Sequence, residues 1–162
     1  MAENEVRIEM TACPQNERFA RLAAAGFIVD LNPTLIELED VKTAVSEAVT
    51  NAIIHGYGIY QEKQEKQENK KNLEEKKVFM ILRKKEKDIT VIIEDYGKGI
   101  KDIEKAMEPM YTTRPEWERS GMGFAFMEAF MDSLIVESEL GEGTKITMKK
   151  RIFSEDRELF DE

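Results

Sequence analysis

A long helix with one apolar side is the feature of this sequence that most limits its fold. Between Thr34 and His55, apolar residues recur at steps of three and four, as on one face of an α-helix: Leu38, Val41, Val45, Ala48, Ala52 and Ile53. Thr34 followed by Glu37 is a capping-box pattern for the start of this helix, and Gly56 and Gly58 would end it. Such a helix needs a second layer, because its apolar face must be buried.

The second layer is predicted to be a sheet. Five runs have strand character: Val6–Met10, Val78–Arg83, Ile89–Glu94, Leu134–Glu139 and Thr144–Ile152. Further helices are predicted from Pro14 onward, over Asp102–Met107 and over Phe124–Met131. Together these elements predict an α/β two-layer sandwich, with helices on one face of an antiparallel or mixed sheet.

The chain is expected to form a single domain. Its 162 residues fit one globular unit, which we place at residues 1–153. Residues 61–77, QEKQEKQENKKNLEEKK, form a charged low-complexity tract with Leu73 as its only apolar side chain, so we interpret them as an insertion in this domain. Residues 154–162 form an acidic tail.

Charge and cysteine content exclude several classes of function. The formal net charge is −9, and a negative field repels nucleic acid, so direct DNA or RNA binding is not expected. Cys13 is the single cysteine, which excludes an internal disulfide and a cysteine-based metal site. The sequence shows neither a signal peptide nor an apolar stretch long enough for a bilayer. We therefore expect a soluble, cytoplasmic protein that does not contact a membrane.

The first group of functional residues lies on the long helix. Glu47 and Asn51 are four residues apart, so both project from the same helical face, away from the apolar stripe. A carboxylate beside a carboxamide offers a proton acceptor and a neutral oxygen ligand for Mg²⁺. His55 continues this face one turn later.

The second group directly follows a predicted buried strand. Asp95 there can accept a hydrogen bond from an exocyclic amine such as that of adenine. Gly97 and Gly99 allow the backbone to approach a flat ligand closely, and Ile100 follows them.

The third group opens the apolar helix and consists of Ser120, Gly121, Met122 and Gly123. Glycines before a helix present bare N–H groups at its positive end, which suits phosphate. Arg119 is placed to make a bidentate contact with a terminal phosphate, and Thr144 begins the last strand.

Each group also has an ordinary structural interpretation. Glu47 and Asn51 could belong to a solvated helix face, and His55 could cap or pack the helix end. The glycines after Asp95 could form a turn, and Arg119 could be a surface residue.

The order of the groups favours function over these interpretations. The chain resembles the GHKL superfamily in the order of its motifs. These are a helix with E-x-x-x-N, a strand followed by D-x-G-x-G, a loop, G-x-G before a helix, and a strand that starts with G-T. Members of this superfamily include gyrase, Hsp90, histidine kinases and MutL, and they carry N, G1 and G2 boxes and a final G-T in this order. No P-loop pattern G-x-x-x-x-G-K-[ST] is present. The resemblance implies a GHKL (Bergerat) ATP-binding fold with a mixed sheet, and a site for ATP or ADP with Mg²⁺.

Two segments narrow this resemblance. SEAVTNAIIHGY and TTRPEWERSGMGFAFMEAFMD are similar to bacterial anti-sigma factors that are also serine kinases, above all the sporulation type that binds sigma F. The similarity covers about Glu5 to Lys150, and the tract at 61–77 is the departure from it.

The resemblance implies a role for each site residue. Glu47 would be the general base on a serine hydroxyl, and Asn51 a Mg²⁺ ligand. Asp95 would bind the adenine amine, with help from Thr144 through water. The residues that would line the base and the sugar are Gly97, Gly99 and Ile100. The segment from Thr112 and Thr113 to Gly123 would be the ATP lid and phosphate grip, with Arg119 at the γ-phosphate.

The resemblance also implies partners. Proteins of this kind are homodimers that hold a sigma factor away from RNA polymerase. They release it on engaging an unphosphorylated anti-anti-sigma protein, whose serine they phosphorylate. Arg21, on the first helix, would contact both partners; its ordinary interpretation is a solvated helix residue.

Three other interpretations stay open. A general-stress anti-sigma kinase would share the fold and the chemistry but bind a different sigma factor. A nucleotide-dependent sequestrant would bind the sigma factor without significant kinase activity, although binding alone needs no base at Glu47. The ATP-binding domain of a two-component histidine kinase would need a phosphoacceptor histidine on a separate hairpin, and His55 lies inside the N box.

Overall fold

A computed structural model describes residues 2–59, 75–108 and 122–153 of the chain. Five strands and four α-helices make up this part, in the order β1 (Asn4–Thr11), α1 (Pro14–Ile28), α2 (Leu35–Thr50), β2 (Lys77–Lys85), β3 (Asp88–Asp95), α3 (Ile103–Ala106), α4 (Gly123–Phe130), β4 (Ser133–Glu139) and β5 (Gly143–Arg151). A 3₁₀ turn at Val29–Leu31 follows α1, and a π-helical turn at Asn51–Gly56 follows α2. Each predicted element is present, and its bounds differ from the prediction by one or two residues except at the end of α2.

The described strands form one sheet in the order β1-β2-β3-β5-β4. All four pairings are antiparallel, so the sheet is antiparallel and not mixed, which corrects the sheet type that the resemblance implied. Hairpins connect β2 to β3 and β4 to β5, and β5 pairs with β3 as well. The two hairpins account for two of the antiparallel pairings, because a hairpin can only join antiparallel neighbours, whereas the β1–β2 and β3–β5 pairings join segments that are distant in the sequence.

The core lies between the helices and one face of the sheet. Alternate residues of β2, namely Val78, Met80 and Leu82, are buried, as are the matching positions of β3 and β5. On the other side, α2 buries the apolar stripe that the sequence predicts and packs against both α1 and α4. The two-layer sandwich with helices on one face is therefore confirmed.

The start of α2 is fixed by the predicted capping box. The Glu37 N–H donates to Thr34 Oγ1 (3.2 Å), and the Thr34 N–H donates to Glu37 Oε2 (2.9 Å). The second carboxylate oxygen of Glu37 accepts the N–H of Phe153 (2.7 Å), which ties this helix start to the residues after β5. Burial alone would raise the pKa of Glu37. The pKa is nevertheless lowered, because the hydrogen bonds from Thr34 and Phe153 stabilise the charged carboxylate.

The end of α2 differs from the prediction. The helix was expected to continue in α form to about His55, but from Asn51 it widens into the π-helical turn, where the Tyr57 N–H donates to Ala52 O (3.1 Å). Turns of this kind are rare and are frequently found at functional sites.

The described residues cover only part of the predicted domain, its insertion and its tail. The predicted insertion falls mainly on residues 60–74, and the tail on residues 154–162; both ranges lie outside the described residues, and Lys77 is already part of β2. Among the helices of the described ranges, none has both the length and the apolar character needed to cross a membrane.

Candidate functional site

Three polar side chains share one row on the helix-facing side of the sheet. Asp95 at the end of β3 pairs with Thr144 of β5, which in turn pairs with Ser138 of β4. We call Asp95, Thr144 and Ser138 the polar row. Asp95 is 3% exposed and Thr144 is 5% exposed, and within residues 2–59, 75–108 and 122–153 they are the only buried polar or charged residues. Polar groups placed in an otherwise apolar layer point to a binding site.

Burial makes Asp95 an unusual carboxylate. Removal from water raises its pKa from 3.8 to about 6, and the nearby charge of Glu94 acts in the same direction. Hydrogen bonds from the backbone of Gly97 and Thr144 oppose this effect; the one from Gly97 N to Asp95 Oδ1 is 2.9 Å long. With a pKa of about 6, Asp95 is mainly ionised at pH 7, and the hydrogen bond from Gly97 holds it in one orientation as an acceptor.

The π-helical turn meets the loop after Asp95 through two glycines. A Cβ on Gly56 would lie 2.8 Å from Asp95 Oδ1, and a Cβ on Gly97 would lie 2.0 Å from Gly56 O. The Lys98 N–H donates to Gly56 O (2.9 Å) in the same contact. The segment that follows α2 is thus brought against Asp95, and only glycine permits this approach at either position.

Gly99 and Ile100 continue this loop toward the β4–β5 turn. Gly99 has φ +73°, and a Cβ there would lie 2.1 Å from Glu139 O, so a left-handed backbone and a close contact both call for glycine. The Gly141 N–H donates to Lys98 O (2.6 Å), which joins the loop to that turn.

Ser138 is a site residue that the sequence analysis missed. Its Oγ lies 2.7 Å from Ile100 N, 2.8 Å from Gly143 O and 2.8 Å from Thr144 Oγ1. It therefore joins the loop after β3 to β4 and β5. The alternation of apolar residues along β4 could have indicated this role, because Ser138 lies on the same face of the strand as the partly buried Leu134 and Val136.

Tyr57 is the second residue that the sequence analysis missed. Its hydroxyl donates to Lys77 O (2.6 Å) and accepts the N–H of Tyr96 (2.9 Å). Burial is the main reason why its pKa is raised. The phenol thus links the residue after the π-helical turn, the start of β2 and the residue after Asp95. A tyrosine after a glycine gives no sequence signal for such a bridge.

Glu47, Asn51 and His55 form what we call the helix face. Glu47 lies in α2, and Asn51, with φ −58° and ψ −44°, continues the helical backbone, so the two residues share a face as predicted. His55 lies within the π-helical turn, and all three residues are partly buried, whereas Val45 and Ala48 of the stripe are fully buried. The backbone from this face leads directly to Gly56 and hence to Asp95.

The remaining predicted site residues fall into three sets. Met122 precedes α4, and Gly123 is buried as its first residue. Arg21 lies on α1 and forms an ion pair with Glu17 (3.7 Å), away from the hydrogen bonds of the site. The predictions that lie outside the described residues concern Thr112, Thr113, Arg119, Ser120 and Gly121.

The oxygen and nitrogen ligands that these residues offer suit a metal ion bound together with a nucleotide better than a metal ion alone. Within the described ranges no group of three or more His, Cys, Asp or Glu side chains could hold a metal ion. Asn51 offers one neutral oxygen, and Mg²⁺ is commonly held by one or two protein oxygens together with substrate phosphates. The residues present therefore fit a Mg²⁺ ion that is carried by phosphate groups.

Comparisons with known proteins agree with this geometry. The family described as histidine kinase-like ATPase domain matches residues 10–150. The anti-sigma F factor of Clostridium botulinum (strain Eklund 17B / Type B) is 52% identical over 151 residues, covering 93% of this chain and 96% of that protein. The anti-sigma F factor of Clostridium novyi (strain NT) is 51% identical over 154 residues, covering 95% and 99%.

A solved structure supports the fold independently. The structure of RsbU and RsbW domains from Mycobacterium tuberculosis superposes with a TM-score of 0.62 at 16% identity. The match covers 92% of this chain and 32% of that longer protein. It confirms the two-layer arrangement of helices and sheet.

Proposed function

This chain belongs to the anti-sigma F factors within the histidine kinase-like ATPase domain family, and from that premise we propose that it regulates a sporulation sigma factor. In this proposal it binds and inhibits a sigma factor of the sigma F type. It also uses ATP to phosphorylate a serine of its anti-anti-sigma antagonist, which inactivates that antagonist. It is thus a protein serine kinase as well as a binding protein.

The buried carboxylate of Asp95 is the observation that carries the nucleotide part of the proposal. Its carboxylate is mainly ionised at pH 7, accepts the N–H of Gly97, and lies beside Gly56, which leaves space next to it. An ionised carboxylate accepts hydrogen bonds and cannot donate them, so it suits the exocyclic amine of adenine. The carbonyl oxygen that guanine has at the same position would face it as a second acceptor.

The helix face supplies the chemistry in this proposal. Glu47 takes the proton from the serine hydroxyl as it attacks the γ-phosphate, and Asn51 gives an oxygen ligand to Mg²⁺. When bound, Mg²⁺ neutralises charge on the phosphate oxygens. Arg119 and the segment from Thr112 to Gly123 bind the phosphates, and His55 borders the nucleotide at the end of the face.

The partner contacts rest on family membership. We propose a homodimer in which Arg21 of α1 contacts both the sigma factor and the antagonist. The partial exposure of Arg21 and the length of its ion pair with Glu17, 3.7 Å, support an available guanidinium.

Reconstitution with purified partners tests the proposal. The chain is immobilised and offered sigma factors of the sigma F type and of the general-stress type, with ATP, ADP or no nucleotide. In parallel, transfer of label from γ-labelled ATP to the antagonist is measured, with a Ser→Ala antagonist as the control. We expect retention of the sigma F type with nucleotide, and label on the antagonist's serine.

Each other outcome would contradict a stated part of the proposal. Retention without transfer would make the chain a nucleotide-dependent sequestrant. Preference for the general-stress sigma factor would make it the related stress regulator. Failure to retain either factor would overturn the anti-sigma function.

A further inference from the structure

We propose that two copies of this chain pair through the open edge of β1, in an antiparallel register that places Ile8 on the two-fold axis. The inference rests on the proposed function, which includes a homodimer, and it locates the interface of that homodimer. It is carried by the open edge of the sheet, the alternation of charge along β1 and the uncovered apolar side chains beside this edge.

The open edge offers backbone groups that another strand can bind. β1 is paired with β2 over its whole length and with no other described strand, and it contains no proline. The N–H of Ala12 donates to Lys76 O (2.8 Å), which continues the β1–β2 register by one pair. Because hydrogen-bonded pairs alternate in an antiparallel ladder, the N–H and C=O groups of Glu5, Arg7 and Glu9 point away from β2. A row of this kind is a template for a further strand.

The charges of β1 fit a second copy of the same strand. Glu5, Arg7 and Glu9 alternate in sign on the outer face of the sheet, and all three are exposed. In an antiparallel pair centred on Ile8, Arg7 of each copy lies opposite Glu9 of the other. A pair centred on Arg7 or on Glu9 would place like charges opposite each other. Opposite charges across two strands stabilise the pairing and like charges destabilise it, so the charges favour the register centred on Ile8.

The apolar residues of β1 favour the same register. Val6, Ile8 and Met10 lie on the helix-facing side of the strand, and centring on Ile8 sets Ile8 opposite itself and Val6 opposite Met10. Centring on Val6 would also pair opposite charges, but it would place Ile8 opposite Asn4 and shorten the ladder. Val6 is 38% exposed although Leu82, its partner in β2, is buried, so the core is uncovered at this edge.

Helix α1 adds apolar surface on the same flank. α1 contacts β2 and α2 contacts β3, so the flank of α1 that faces away from α2 lies on the β1 side. Glu17 marks the flank toward α2, because its carboxylate accepts the hydroxyl of Ser46. Phe19 follows Glu17 by about 200° around the helix, and Leu22 lies one turn further on, so both turn away from α2. Phe19 is 52% exposed and Leu22 is 65% exposed, and a two-fold pair through β1 brings these side chains of both copies onto one continuous surface.

Charge reversal tests this register. Analytical ultracentrifugation of the full chain over a range of concentrations measures the dissociation constant of the dimer. Arg7→Glu and Glu9→Arg each place like charges opposite each other on both sides of the axis, so each should weaken the dimer by about 10–100-fold. Lys149→Glu is the matched control, since Lys149 is an exposed lysine on the outer face of an inner strand, and it should leave the dissociation constant unchanged.

Two combinations should restore the dimer. In the double variant Arg7→Glu with Glu9→Arg, the signs are exchanged and opposite charges face each other again. An equimolar mixture of the two single variants should form a heterodimer, because the acidic strand of one meets the basic strand of the other. Arg7→Glu also removes the ion pair between Arg7 and Glu5 (2.6 Å), but this loss is common to the single and the double variant and cannot explain a recovery. Calorimetric titration of ADP shows that each variant is folded.

The outcomes separate this inference from the proposed function. If the wild type is a dimer that both single variants leave unchanged, the inference is overturned and the proposed homodimer uses another surface. Weakening without recovery in the double variant and in the mixture would also overturn it. A wild type that stays monomeric would overturn both the inference and the proposed homodimer, whereas retention of the sigma factor is measured separately. If the single variants of such a monomer lose the sigma factor, the edge of β1 binds that partner instead of a second copy.

Discussion

The polar row and the helix face are linked through Gly56, which follows the helix face and contacts Asp95, but they are held in place by different means. Asp95, Thr144 and Ser138 are fixed by strand register and by short hydrogen bonds, and the first two of these residues are buried. Glu47 and Asn51 are placed by helical spacing on a partly exposed surface. Buried, hydrogen-bonded groups tolerate little change, whereas a partly exposed side chain can change its chemistry without disturbing the fold. We therefore expect substitutions to separate recognition of the base from phosphoryl transfer.

The largest effect is expected at Glu47. Glu47→Gln keeps the size of the side chain but removes the general base, so the rate of phosphoryl transfer should fall by about 10²–10⁴-fold. ADP affinity and sigma-factor retention should stay within about twofold of the wild type, because neither depends on proton transfer. Label transfer under single-turnover conditions is the measurement, and Glu39→Gln, an exposed position of the same helix that pairs with Lys42, is the control. Transfer at the wild-type rate would remove Glu47 from this role.

The second effect concerns Asp95, whose substitution should change the affinity for ADP, the quantity that Glu47→Gln leaves unchanged. Asp95→Asn replaces a charged acceptor with a neutral amide, so ADP binding should weaken by about 1–3 kcal/mol. Calorimetry measures this loss, and Asp88→Asn, an exposed position at the other end of β3 that pairs with Arg151, is the matched control. Undiminished ADP affinity in Asp95→Asn would show that the polar row does not bind the base.

The third effect tests the contact that joins the two regions. Gly97→Ala places a Cβ 2.0 Å from Gly56 O, a backbone atom that cannot move aside cheaply. We expect a loss of about 1–3 kcal/mol in the free energy of unfolding, together with weaker ADP binding. Gly26→Ala in α1 is the control with opposite sign: its Cβ would meet nothing within 4 Å, so it should stabilise the helix by roughly 0.5–1 kcal/mol. Equal stability in both variants would contradict the close approach.

The fourth effect is a pH dependence that follows from the raised pKa of Asp95, about 6 against an ordinary 3.8. Between these two values the folded chain binds a proton that the unfolded chain does not, so this group's contribution to stability falls as pH rises. From about pH 7.5 to about pH 5, the wild type should gain roughly 1.5 kcal/mol of unfolding free energy relative to Asp95→Asn. ADP affinity should move the other way and weaken below about pH 6, because the charged acceptor is lost. Denaturant titrations of both proteins without nucleotide measure the pH dependence of the unfolding free energy. If this free energy changes with pH by the same amount in the wild type and in Asp95→Asn, the shifted pKa is refuted.

The smallest effect should leave both regions untouched. Thr34→Ala removes one partner of the capping box at the start of α2, which should cost about 1 kcal/mol of stability. Because the box lies at the opposite end of α2 from Asn51, the affinity for ADP and the rate of transfer should not change. A thermal melt alongside an ADP titration checks both statements. A change in ADP affinity would show that the start of α2 influences the polar row or the helix face.

The sequence predicts well whatever depends on local spacing. The capping box at Thr34, the buried stripe of α2 and the placement of Asp95 at the end of a strand all follow from residues close together in the chain.

What the sequence analysis missed depends on contacts between distant segments. The roles of Ser138 and Tyr57 exist only because β4 pairs with β5 and because β2 begins beside the loop after Asp95. The π-helical turn was missed because helical propensity does not distinguish it from a continued α-helix, and packing against Asp95 selects the wider form. The antiparallel sheet required the pairing of β3 with β5, which no local pattern reveals.

The strand order has a consequence for how the protein is made. β5 is the last described strand in the sequence, yet it lies between β3 and β4, so the neighbour of Asp95 is synthesised long after Asp95 itself. A growing chain can form α2 and the β2–β3 hairpin early, but the polar row stays incomplete, with one edge of β3 unpaired, until β5 has emerged. Pairing across so long a separation is slow compared with hairpin formation. We therefore expect nucleotide to stabilise only the nearly complete domain, and nascent chains that stop before β5 to depend on chaperones rather than on ATP binding for protection.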